Sequence, residues 1–332
     1  MKKSILLALP LMLFALGFTS CSEDDLSEQS VIVTDSYEQN AFDKWLEANY
    51  VKPYNIDFKY RYEEIESDFN YYTVPADMNS SIKMAHILKH LCIDTYNEVA
   101  NDGVVFTRSY FPKEFFLIGV WEYRNNGTYI LGTAEAGKKV LLAGINFLDY
   151  VLDGSYDTSR SPADNLNHYY VKTIHHEFTH ILNQTKDYPA NFKLVTGSGY
   201  IADSWSTHPY DGYDSDADER DGVFNRCYLL RGFISDYAQH SDKEDFAEMM
   251  SLYITNTKEW WEKQMQMADG LYSSDPKQVK TGRELIEAKL DIVKNYMQEI
   301  WGIDMDKARD VIQRRQAEIL EGKVDLLDLT IK

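Results

Sequence analysis

The sequence predicts an α+β fold: a small antiparallel or mixed sheet, then one chemistry-bearing helix, then a mainly helical second half. Three observations predict it. Residues 114–146 are apolar and β-rich with glycine-marked turns. Residues 161–182 carry apolar side chains at helical spacing around a cluster of His and Glu. Residues 241–254, 259–267, 280–301 and 306–320 then repeat the helical period, with no internal repeat and no low-complexity segment.

The chain opens on Met1-Lys2-Lys3 and a short apolar run from Ile5 to Leu16, the pattern of a signal peptide spanning 1–20. The run is short for a membrane span. Phe18-Thr19-Ser20-Cys21 resembles a bacterial lipobox, in which Cys21 is lipidated and becomes the mature N-terminus. Ser22-Glu23-Asp24-Asp25 follows, and an acidic run there resembles the surface-export signal of Bacteroidota lipoproteins. Residues 21–36 then read as lipid-bearing Cys and acidic tether. The expected place is the outer membrane, exposed at the cell surface, held by the lipid alone. Ordinary secretion with cleavage near Ser20 is the plainer alternative.

The formal net charge is −19, which argues against nucleic acid and anionic membrane surfaces as partners. After Cys21 only Cys92 and Cys227 remain, so the chain is no disulfide scaffold and no cysteine-based zinc site. About 310 residues follow the signal, and residues 37–332 read as one domain with an N-terminal α/β part, 37–160, and a helical part, 161–332.

Residues 41–50 predict a short amphipathic helix, and 56–72 are aromatic without a clear period. Residues 81–99 predict a helix carrying His86 and His90 at i, i+4. Ile87 stands where a general base would be needed, so these two read as ordinary boundary histidines. Residues 115–123 predict a strand, Asn126-Gly127 a hairpin turn, 128–133 the return strand, Gly137 a further turn and 140–145 a third strand, together a meander.

Ser161-Pro162-Ala163-Asp164 predicts a helix start: a capping Ser, Pro in the first turn and an acid beside it. Its last turns carry His176-Glu177-Phe178-Thr179-His180. On a helix, i and i+4 share one face, so the imidazoles of His176 and His180 can reach one ion. Glu177 sits one step round, where a carboxylate can take a proton from a water activated by that ion. Zinc suits such a donor set. The expected class is therefore zincin-like, with one zinc. In such folds an edge strand upstream of the helix pairs with an extended peptide; for this meander the assignment rests on analogy.

Two His need a third protein ligand. Asn183 and Lys186 stand where a metzincin needs Gly and His. After Glu177 the next glutamates are Glu219 and Glu244. Glu244-Asp245-Phe246-Ala247-Glu248 opens a helix with both glutamates on one face. Glu244 would bind the ion and Glu248 would hydrogen-bond a ligand imidazole, fixing its tautomer. Tyr237, seven positions before Glu244, is the candidate donor to an oxyanion. Ser241-x-x-Glu244 is also a capping box, which alone could account for that Glu, and Asp203 or another acid of the long loop is the rival ligand. In the long loop, Asp214, Asp216, Asp218 and Asp221 invite calcium, but Glu219 and Asn225 stand where an EF-hand needs Gly and Glu, so a solvated acidic loop is the expected reading. Residues 195–201 read as short strands or turns.

The lipoprotein start, Lys113 to Gly119, Leu131-Gly132-Thr133-Ala134, the His176 to His180 motif, and the blocks Gly232 to Ala238 and Glu244 to Glu248 together resemble the substrate import-associated zinc metallohydrolase lipoproteins of Bacteroidota, over roughly residues 37–320. The block from Tyr237 to Glu248 is also similar to the lethal-factor-type gluzincins. The resemblance implies Tyr237 near the attacking water, Glu244 as third zinc ligand, and a TonB-dependent transporter with its nutrient-binding lipoprotein as neighbours. The activity it implies is zinc-dependent hydrolysis of a peptide or other amide. The alternative is a surface lipoprotein that binds peptides or glycans and keeps a zinc site with little turnover.

Overall fold

Local signals place most of the helices. In the computed structural model, residues 38–64, 70–123, 129–135, 138–202, 227–272 and 275–331 are described. The chain divides into Met1–Gln39 and Asn40–Lys332, and every element named here belongs to the second. The expected signal peptide, Cys21, the tether, the Asn126-Gly127 turn, Gly137, Asp203 and the acidic loop with Asp214, Asp216, Asp218 and Asp221 lie outside the described residues.

Helix α1 (Ala41–Leu46) begins at Asn40, whose side chain accepts from Asp43 N while Asp43 reaches back to the cap, a complete capping box. Helix α2 (Met78–Leu88) starts three residues before the expected 81, because Asp77 caps it by accepting from Ser80 N. It continues through a π-helical turn into α3 (Asp94–Val99). A short helix, α4 (Val104–Tyr110), follows.

Four strands form the main sheet: β1 (Asp57–Lys59), β2 (Glu114–Leu117), β5 (Gly132–Glu135) and β6 (Lys139–Leu142), in the order β1-β2-β6-β5. β1/β2 and β2/β6 are parallel, and β5/β6 is antiparallel. A separate antiparallel pair joins β3 (Glu122–Tyr123) to β4 (Tyr129–Ile130). The sheet is therefore mixed, and the simple meander expected over 115–145 is corrected in two ways. The first strand stops at Leu117 because the chain turns onto another partner: Ile118 bridges Pro75, and Gly119 N donates to Val74 O at 2.8 Å. β6 then lies parallel to β2 rather than continuing an up-and-down order. β1 was missed, since three residues of aromatic, unperiodic sequence pair only with a partner more than fifty positions away.

After α5 (Leu148–Leu152) comes α6 (Pro162–Leu166), capped by Ser161 as the sequence predicts. A π-helical turn, Asn167–Val171, links it without a break to α7 (Lys172–Thr185). Residues 192–199 form two tight 3-10 turns, not strands. The second half is helical: α8 (Asp242–Thr255), α9 (Lys258–Met267), α10 (Gly282–Trp301) and α11 (Met305–Leu320).

The back of α7 anchors it to the core. Phe178 is fully buried, with its ring 4.8 Å from both Tyr96 and Phe111. Edge strand β5 lies against the same helix. A Cβ on Gly132 would fall 2.9 Å from Thr173 Cγ2 and 2.7 Å from Leu141 O, so no larger residue fits that approach. Among the described residues no helix is long and apolar enough to cross a membrane.

Candidate metal centre

Burying Phe178 on one side of α7 turns His176 and His180 to the other, where α8 packs. His176 Nε2 and His180 Nε2 lie 3.1 Å apart, and Glu244 Oε2 lies 3.0 Å from the first and 3.1 Å from the second. Two neutral imidazole nitrogens do not approach this closely around one carboxylate oxygen unless a proton or a cation sits among them. Ligand atoms of a tetrahedral zinc with bonds of about 2.0–2.1 Å lie about 3.3–3.4 Å apart, so this slightly contracted triangle fits zinc. Among the described residues it is the group of His, Cys, Asp and Glu side chains able to hold an ion.

Glu244 reaches this point from the first turn of α8. Ser241 caps that helix and accepts from Glu244 N at 3.3 Å. The Glu244 side chain does not return to the cap; it goes to the histidines. Capping therefore accounts for its backbone and not for its carboxylate.

Glu248, one turn further along α8, is almost fully buried. Its Oε1 lies 2.8 Å from His176 Nδ1 and 2.5 Å from Lys172 Nζ, and its Oε2 accepts from Ser235 Oγ at 2.8 Å. Ser235 Oγ in turn accepts from Ala238 N at 3.1 Å, which ties the Tyr237 turn to the same carboxylate. Tyr237 opens a one-turn 3-10 helix, and its ring lies 5.9 Å from that of His176.

Electrostatics follow from this packing. Burial opposes a charged His176, but the carboxylates of Glu244 and Glu248 outweigh it and raise its pKa. Burial also opposes charge on Glu244, and there the two imidazoles hold it far below the carboxylate range. Burial works against Glu248 too, yet Lys172 and His176 bring it down to about 2. The site is thus built to hold positive charge between two carboxylates. Glu177 is half-buried, and burial is the main cause that raises its pKa. Burial, then the charges of Glu244, Glu248 and Glu177, also raise Tyr237, which keeps its hydroxyl protonated.

The family model described as "Putative zinc-binding metallo-peptidase" matches residues 35–306. The chain belongs to this family. A crystal structure bearing the same description, from Bacteroides caccae, is similar at 36% identity, with TM-score 0.67, over 91% of this chain and 100% of that one. No curated protein matches. The α+β class read from the sequence, a small mixed sheet with a mostly helical remainder, is thus shared with that similar structure.

The structure brings His176, Glu177, His180, Tyr237, Glu244 and Glu248 to one place. It gives His86 and His90 other roles. His86 packs on Trp45, with ring centroids 4.3 Å apart, and His90 meets Glu318 at 2.8 Å. Sequence reasoning missed Lys172 and Ser235. Lys172 was findable, since it lies one turn before His176 on the same helix face; Ser235 reaches Glu248 only through packing. Cys92 is a buried free thiol.

Proposed function

We propose that this chain is a zinc-dependent peptidase in which His176, His180 and Glu244 hold one zinc. The observation that carries the reading is the triangle of three donor atoms 3.0–3.1 Å apart, with Glu177 beside it. Zinc held there would supply Lewis acidity and a water acidified toward neutral pH. Glu177, its pKa raised by burial, takes a proton from the attacking water and delivers it to the leaving amine. The Tyr237 hydroxyl donates to the developing oxyanion. Glu248 keeps the His176 ring in the tautomer that presents Nε2 to the ion. β5, at the end of the sheet and against Thr173 of α7, offers its edge to an extended peptide.

A binding protein with an idle zinc site would not need the carboxylate of Glu177, which favours the enzyme. We further propose that Cys21 carries the lipid that anchors the protein at the outer membrane, where it would serve a nutrient transporter and its binding lipoprotein. The lipobox-like start and acidic run support this, as does the similar structure's origin in Bacteroides caccae.

The deciding experiment is metal content of the purified soluble form, wild type beside Glu244→Ala, paired with peptide hydrolysis before and after chelation. About one zinc per chain, lost in the variant, with hydrolysis that chelation stops and zinc restores, supports the reading. Zinc retained by Glu244→Ala would move the third ligand elsewhere, with Asp203 tested next. Zinc without hydrolysis would leave the binding protein.

A further inference from the structure

The pairing of α7 with α8 is antiparallel: Lys172 meets Glu248, His176 meets Glu248 and Glu244, and His180 meets Glu244. One turn beyond Lys172, toward the start of the helix, the two walls part. Asn167 and His168 on one side and Leu252 and Asn256 on the other border a groove of about 560 Å³. Tyr237, Lys172 and Glu248 line its near end, so it lies beside the candidate centre, on the Nδ1 side of His176.

The groove's cations are already matched within the protein. Lys172 is taken by Glu248 and Arg160 by Asp157, while the carboxylates of Asp164 and Asp236 each accept a hydrogen bond from a neutral donor, the Ser161 hydroxyl and Tyr237 N, both at 2.7 Å. Burial, the main influence on His168, holds it neutral at physiological pH, with its pKa brought down to about 4. The amide of Asn256 is turned back onto Leu252 O at 3.0 Å. An acidic side chain entering here would lose its water and gain no free counter-charge. What the groove does offer is ring and aliphatic surface: Tyr237, Tyr228 and Trp260, with Leu252 and Ile234. Such surfaces favour neutral, ring-bearing groups.

We propose that this groove is the specificity subsite of the metal centre and takes a neutral aromatic side chain of a peptide lying across the metal. The proposal rests on the peptidase reading for the identity of the ligand, and its test is read by binding, so the two can fail separately.

The experiment uses the zinc-loaded Glu177→Gln protein, which binds without turnover, and end-capped tripeptides that differ at one position: Phe, Ala, Glu or Lys. Affinities are measured by calorimetry, and wild-type cleavage of the same peptides is followed in parallel. The Phe peptide is expected to bind about tenfold or more tighter than the other three, the scale of burying one aromatic side chain. Trp260→Ala and, independently, Leu252→Lys should erase that advantage while the Ala peptide and the zinc stoichiometry stay unchanged. Equal affinities for all four peptides, or a Phe preference that survives both folded variants, would overturn the subsite. A Phe preference in binding with no wild-type cleavage would leave the subsite standing and remove the peptidase.

Discussion

Nδ1 of His176 lies 2.8 Å from Oε1 of Glu248, and that same oxygen lies 2.5 Å from Lys172 Nζ. One buried carboxylate thus faces the His176 imidazole while a lysine from the same helix neutralises it. Such outer contacts typically account for 10–100-fold in metal affinity. Glu248→Gln should therefore weaken zinc binding by about 10–100-fold, measured by competition with a chelator of known affinity. An unchanged dissociation constant would mean that the contact orients nothing.

Glu177 and Tyr237 should separate binding from chemistry. Glu177→Gln should keep its zinc and lose peptidase activity by orders of magnitude. Tyr237→Phe should lower kcat by about 10²-fold, with zinc stoichiometry and KM little changed, as for removal of one oxyanion donor. Steady-state kinetics beside metal analysis checks both. Undiminished turnover in Glu177→Gln would sink its assignment as base.

A second buried ion pair supports the ligand helix. Lys289 Nζ lies 2.7 Å from Asp245 Oδ2, both side chains are fully buried, and Tyr200 OH donates to the same oxygen at 2.9 Å. Lys289 also lies over the Phe233 ring, 4.3 Å from its centroid. Removing one partner strands a buried charge beside Glu244. Lys289→Met should cost about 3–5 kcal/mol in urea unfolding, and Lys289→Met with Asp245→Leu should recover much of it. A double variant no more stable than the single one would refute the pairing as the source of the loss.

His168 gives the protein an acid limit. Burial first, then Arg160 and Lys172, bring its pKa down to about 4, against about 6.5 in the unfolded chain. Between those values the unfolded chain binds a proton that the folded chain refuses. Stability from this group is present above pH 6.5 and falls as the pH drops toward 4, by on the order of 2–3 kcal/mol in all. Metal-free His168→Gln should show a smaller stability difference between pH 7 and pH 4.5 than metal-free wild type. Equal differences would place the acid sensitivity elsewhere.

The helix that carries His176 and His180 was legible because its rules are local. Ser161 and Pro162 mark its start, and the i, i+4 relation of His176 and His180 needs only the helix. The helices from 241 onward were legible for the same reason, with ends shifted by one or two residues. The sheet was legible in part. Its strands at 114–117, 132–135 and 139–142 carry β-forming residues, but parallel pairing with Asp57–Lys59 joins segments whose own sequence holds no record of each other.

The sequence by itself determined the chemistry available: two imidazoles on one helix face, a neighbouring carboxylate, and an acid-rich helix that could supply a third ligand. Tertiary structure decided which acid arrives. Glu244 stands sixty-four positions from His180 and meets it at 3.1 Å because Phe178 buries the back of α7 and α8 packs antiparallel across its front. It also decided that Lys172 and Ser235 share Glu248, and that the walls part beyond Lys172 to leave a groove. These contacts depend on how side chains from distant segments fill one volume, and close packing sets that only when the whole chain is folded.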